Sequence, residues 1–190
     1  MRSNAGPSLS PRPQHDSYLM SMTTNTPISG ITLEAVDLSR ADHRNALLAL
    51  LDEYAQTPEG GSSPLDPDAK ARLCDLLASK PHYAGWLALS PGGQAIGLIN
   101  CFEGVSTFRA RPLLNVHDII VSAPWRGLGI GRALLAAAED GARRRGCCKL
   151  TLEVLEGNRR AEAVYRACGF RPYELDPAMG RAVFLEKKID

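Results

Sequence analysis

Nowhere in these 190 residues is there an apolar run long enough to cross a bilayer, so a helical membrane span is not expected. An excess of either charge is also missing. The formal net charge is +1 at pH 7, which gives no reason to expect nucleic acid or an anionic membrane surface as partner. Cysteines are few and unpatterned: five, scattered, which argues against a disulfide framework and for a reducing, cytoplasmic setting. Cys147 and Cys148 are adjacent, so on a strand they point to opposite faces and make no metal clamp; no metal site is expected. No Gly-Lys-Ser or Gly-Lys-Thr is present to make a P-loop, and no internal repeat is visible. Residues 1–28 lack the apolar stretch of a signal peptide and are rich in Ser, Pro, Asn and Thr. They read as a disordered lead, with Met20 and Met22 as alternative starts to Met1. Residues 29–190 then form one domain, with 44% hydrophobic and 23% charged residues over the whole chain, an ordinary globular balance.

Periodicity supplies the elements. Ile31 to Val36 alternates and predicts a strand. Leu38 to Tyr54 carries Leu47, Leu50, Leu51 and Tyr54 at helical spacing. After the loop Pro58 to Pro64, Asp66 caps a second helix with Pro67 in its first turn and Leu73, Leu76 and Leu77 as its stripe. Gly85 to Leu89 is a strand, and Ser90 to Gly93 turns it into a long one, Gln94 to Phe108, with an interruption expected at Glu103-Gly104. Leu113 to Val121 reads as a buried strand, and Arg132 to Arg145 as a helix with Leu134, Leu135, Ala138 and Ala142 inward. Lys149 to Leu155 alternates and predicts a parallel crossover strand. Asn158 opens a short helix ended by Gly169, and Phe170 to Tyr173 with Arg181 to Lys187 predict a closing pair of strands. The order β-α-α-β-β-β-α-β-α-β-β implies an α/β fold of the α+β type, a mixed sheet with helices on both faces.

Arg126-Gly127-Leu128-Gly129-Ile130-Gly131 lies between the buried strand and its helix. The first N–H groups of a helix have no intrahelical partner and the dipole there is positive, so a phosphate fits, and glycine allows its close approach. A dinucleotide-binding turn is the rival reading, with Glu153 on a ribose. It fails because its third glycine falls on Arg132 and too little chain follows for the remaining parallel strands.

Three stretches together resemble the GNAT superfamily of acetyl-CoA-dependent N-acetyltransferases. They are Val121 to Leu135, with Pro124-Trp125 before the glycines; the strand ending Glu153-Val154-Leu155; and Asn158-Arg159-Arg160-Ala161-Glu162-Ala163-Val164-Tyr165-Arg166-Ala167-Cys168-Gly169-Phe170. The resemblance spans about Thr32 to Lys188 and implies a GNAT-like fold that moves the acetyl group of acetyl-CoA to a primary amine. It implies that Arg126, Gly127, Leu128, Gly129, Ile130, Gly131 and Arg132 wrap the CoA pyrophosphate. Ile119, Ile120 and Val121 would lend backbone groups to the pantetheine arm between splayed strands. Asn158 would bond that arm and could also cap its helix.

It also implies that Tyr165 is the general acid that protonates the leaving thiolate. For the base, Asp118 is favoured over His117, Glu103 and Glu153, with proton loss to solvent as a further alternative. His117 and Asp118 are expected to face opposite ways. Attack is expected to be direct, through a tetrahedral intermediate, with no cysteine nucleophile. The acceptor, a small-molecule or peptide amine, is left open. Asp52, Glu53 and Glu59 would suit a cationic one, although a solvated helix end is their simpler reading. A non-catalytic acyl-CoA sensor is an alternative. So is a donor such as succinyl-CoA, which would need Arg109, Arg111 or Arg171 at the acyl end. The resemblance leaves room for a homodimer.

Overall fold

The computed structural model describes residues 30–174, 176–180 and 182–189. The expected lead at 1–28 lies outside them. Five strands form one sheet in the order β1-β2-β3-β4-β5: Thr32–Ala35, Tyr83–Leu89, Ala95–Ser106, Arg111–Val121 and Leu150–Leu152. The first four pair antiparallel and β4 pairs with β5 in parallel. The helices are α1 (Ala41–Ala55), α2 (Pro67–Ala78), α3 (Ile130–Arg144) and α4 (Arg159–Ala167).

Each face of the sheet has its own core. Helices α1 and α2 lay Leu47, Leu50, Leu51, Cys74 and Leu77 against Leu87, Leu98 and Ile120. On the other face α3 packs Ile130, Leu134, Leu135, Ala138 and Ala142 against Trp86, Ile96, Ile99, Leu114 and Val116, and Val164 and Tyr165 of α4, with its C-cap Cys168, join that cluster. Helix α2 begins as its sequence predicts, with Asp66 Oδ1 accepting the Ala69 N–H at 3.0 Å. Helix α1 starts three residues later than expected. Asp37 Oδ1 instead accepts from both the N–H and the hydroxyl of Ser39, a local turn that competes with the helix.

Two expectations are corrected. Strand β3 is not interrupted at Glu103-Gly104, both of which pair with β4; its register shifts at Asn100/Cys101. There Asn100 opposes Asp118 while Cys101 opposes Val116, so His117 is the extra residue of a bulge on β4. Among the described residues the closing strands are not formed: residues 170–174 and 182–189 carry no strand, and Arg181 lies outside the described residues. Strand β5 is only three residues long, and Val183, Phe184 and Leu185 are 76%, 79% and 83% exposed. Apolar β-formers make a strand only against a partner, and this stretch packs on none.

Candidate active site

The bulge shapes the site. The parallel ladder joins Leu114, Asn115 and Val116 to Leu150, Thr151 and Leu152, then stops where His117 is inserted. Strand β4 runs on to Val121 with no strand on that side among the described residues, while the chain after β5 leaves the sheet and continues into α4. The gap is a cavity of about 490 Å³ lined by Ile119, Ile120 and Val121, the start of α3 and one face of α4.

At the α3 end Gly127 and Gly129 sit at φ +86° and +85°, a backbone region that favours glycine. Gly129 is the N-cap and caps through no side chain, so the first-turn N–H groups of α3 remain available to an anion. Arg126, Arg132 and Arg160 line the same cavity. Arg126 Nε also donates to the Val121 carbonyl at 2.9 Å, which ties the turn to the end of β4. Cations, bare amides and a helix dipole together suit a pyrophosphate.

A smaller cavity of about 90 Å³ adjoins it, lined by Val116, His117, Asp118, Leu152 and Glu153. Tyr54, Ile119, Asn158, Ala161 and Tyr165 line both. His117 and Asp118 were expected to face opposite ways, but both reach this cavity, because a bulge removes the alternation at that point. The exposed His117 ring also meets Phe102 edge-on at 5.5 Å. Glu153 is held by Asn115, whose Nδ2 lies 3.4 Å from each carboxylate oxygen.

Burial, with a smaller contribution from Tyr54, pushes the Tyr165 phenol up to about 12, so it keeps its proton at neutral pH. Its ring is braced edge-on by Phe170 at 6.1 Å. Burial also raises the Tyr54 phenol, helped by the charges of Asp118 and Glu59, and its hydroxyl donates to the Glu59 carbonyl at 3.4 Å. Asn158 Oδ1 accepts the Ala161 N–H at 3.1 Å, so it caps α4 while lining both cavities.

Of the residues expected around a cofactor, all but Leu128 line the larger cavity; Leu128 is 51% exposed, between two glycines that turn the chain away. Asp118, Tyr165, His117 and Glu153 are brought together, whereas Glu103 lies off the site, 3.9 Å from Arg145. Arg109, Arg111 and Arg171 line neither cavity. Asp52 is taken by the Leu65 N–H (2.8 Å) and Lys70 (2.7 Å), and Glu53 by the Ser122 hydroxyl (2.6 Å) and the Ala123 N–H (3.0 Å). Of the three acidic residues considered for a cationic acceptor, only Glu59 lines the larger cavity. Arg160 went unnoticed in the sequence as a cavity residue, although its place just after the cap Asn158 puts it at a helix N-terminus. Among the described residues no group of three or more metal-ligating side chains could hold an ion, and no helix is long and apolar enough to cross a membrane.

The profile of the acetyltransferase (GNAT) family matches residues 47–170. The aminoglycoside N(6')-acetyltransferase type 1 of Stenotrophomonas maltophilia is 32% identical over 113 residues, 57% of this chain and 74% of that one. The thialysine N-epsilon-acetyltransferase of Bos taurus is 38% identical over 130 residues, 65% of this chain and 75% of that one. Among solved structures, the aminoglycoside N-acetyltransferase AAC(6')-Iy in complex with CoA superposes with a TM-score of 0.65 at 19% identity, covering 84% of this chain and 95% of that one. The match over the strand, glycine turn and capped helix that build the cleft makes this chain a member of the GNAT acetyltransferase family, and so an N-acetyltransferase.

Proposed function

We propose that the larger cavity takes acetyl-CoA and the smaller one receives a primary amine, so that acetyl transfer occurs where the two meet. One observation carries this reading: the gap between β4 and α4 leads from the glycine turn at the α3 N-terminus to Tyr165, which lines both cavities. Arg126, Arg132, Arg160 and the α3 amides hold the pyrophosphate, and the unpaired side of β4 from Ile119 to Val121, with Asn158, holds the pantetheine arm. Asp118 takes the ammonium proton, directly or through a water, and the neutral amine attacks the thioester carbonyl. A tetrahedral intermediate forms, its oxyanion facing a β4 N–H. Tyr165 donates its phenolic proton to the sulfur as the C–S bond breaks, and the proton that the attacking nitrogen sheds as the amide forms returns to the phenolate through water.

None of the three arginines that a carboxylated acyl donor would need lines either cavity, which favours acetyl-CoA. Asp118 and Glu153 in the smaller cavity and Glu59 in the larger suit an acceptor with more than one positive charge. Related enzymes that act on aminoglycosides and on thialysine, by name, fit the same class. The unpaired state of Cys74, Cys101, Cys147, Cys148 and Cys168 suits a cytoplasmic protein. The test is release of free thiol from acetyl-CoA across a panel of mono-, di- and polyamines. Turnover fastest with a multiply charged amine is expected. Tight acetyl-CoA binding without thiol release for any amine would make the protein an acyl-CoA sensor instead.

A further inference from the structure

Asn100 is 2% exposed in the middle of β3, where Leu98, Ile99 and Cys101 around it are fully buried. A buried amide is costly unless both of its ends are hydrogen-bonded. Here both are. Its Oδ1 accepts the Tyr83 hydroxyl proton at 2.9 Å, and its Nδ2 donates to Asp118 Oδ2 at 3.1 Å. Three neighbouring strands thus contribute one side chain each to a string that begins in the α1–α2 core and ends at the smaller cavity.

Two backbone features serve this string. Asn100 and Asp118 are the cross-strand pair beside the bulge, so the register shift that opens the cleft also brings the amide opposite the carboxylate. On β2, a Cβ at Gly85 would lie 2.4 Å from the Tyr83 oxygen and 2.9 Å from Val36 Cγ2. Glycine at the centre of a sheet weakens the strand, and here its missing side chain is the space the phenol crosses to reach Asn100.

We propose that Asn100 and Tyr83 are positioning residues for Asp118. This rests on the reading above that Asp118 takes the proton of the amine. The direction of the string follows from donor chemistry. The Tyr83 phenol donates to the amide oxygen, which turns the amide nitrogen toward Asp118, and Asp118 can then only accept. Burial raises the Tyr83 phenol well above its ordinary value, so the donor at the head of the string does not lose its proton in the working range. One carboxylate oxygen is fixed by Asn100, and the other is left to the cavity that Asp118 lines.

The test replaces the string by apolar groups of similar volume, Tyr83→Phe with Asn100→Leu. Removing both partners together keeps the core filled and leaves no orphaned polar group between them. The double variant is expected to melt close to the wild type and to keep its KM for acetyl-CoA. Its kcat should fall about 10- to 100-fold, because the base is no longer held in place. Tyr83→Phe alone should give a smaller fall in kcat together with a lower melting temperature, because it leaves the buried Asn100 oxygen without its donor. In an Asp118→Asn background the same two substitutions should change kcat less than about twofold, since there is no base left to position. A wild-type kcat in the double variant would overturn the proposal. So would a loss of equal size with and without Asp118, which would mark a structural role. An Asp118→Asn enzyme as fast as the wild type would overturn it too, while leaving acetyl transfer itself intact. A wild-type protein that turns over no amine would overturn the acetyl-transfer reading first, and this one with it.

Discussion

Tyr165 and Gly129 show how single residues make the site testable. Because burial holds the Tyr165 phenol near 12, it remains an acid across the neutral range and should not itself produce an alkaline fall in rate below about pH 11. Tyr165→Phe should lower kcat by about 10²-fold or more while calorimetric affinity for acetyl-CoA stays within about twofold. A full-rate Phe variant would mean that the ring only packs on Phe170. At Gly129 a valine would meet a backbone at φ +85° and, on the function proposed above, the path of the pyrophosphate. Gly129→Val should weaken acetyl-CoA binding by about tenfold or more, and unchanged affinity in a folded variant would remove the turn from the site. That Tyr165, Asn158, Gly127, Gly129 and Gly131 share one cavity could be expected from the sequence, because each falls in a stretch that resembles the family's motifs. Asn100 could not be placed that way: an asparagine inside an apolar strand looks like any other, and its partners are 17 and 18 residues away.

At the level of elements, the β4–turn–α3 unit and α4 could be read from periodicity and caps, but the bulge that separates them from β5 could not. Glycine at 104 drew the expectation to the wrong strand. The extra residue is His117, and a bulge of this kind requires no glycine at that place. Without that insertion the alternation of the strand would turn Asp118 and His117 to opposite faces, and they would not share a cavity. Helix α3 is seated by close approach: a Cβ at Gly141 would lie 2.4 Å and 2.5 Å from the ring atoms Cζ2 and Cη2 of Trp86. Alanine is the better helix former by about 1 kcal/mol, yet overpacking of this kind costs about 1–3 kcal/mol. Gly141→Ala should therefore destabilise the protein in urea unfolding. A stabilised variant would show that Trp86 yields without cost.

For the molecule as a whole, two cores lie on opposite faces of one sheet, and the order of elements through α4 was legible throughout. The closing strands were not, because alternation in Phe170 to Tyr173 and beyond reports β-propensity and says nothing of whether an edge is there to receive it. The buried groups make stability fall at alkaline pH. Burial raises the Cys101 thiol from 9.0 to about 12 and the Tyr165 phenol from 10.0 to about 12. Above the ordinary values the unfolded chain has released protons that the folded one still holds, so stability is full below about pH 9 and is lost as pH rises toward 12. Urea midpoints should fall between pH 9 and 11, and Cys101→Val should flatten that fall. A midpoint indifferent to pH there would mean that these groups are more open to water than the fold implies.

The central claim, that the cleft between β4, α3 and α4 is a site for acetyl-CoA, is tested most directly by calorimetric titration of the protein with acetyl-CoA, using NAD as control. Micromolar binding of acetyl-CoA with no detectable heat from NAD is predicted. No binding of acetyl-CoA, or equal binding of both, would contradict it.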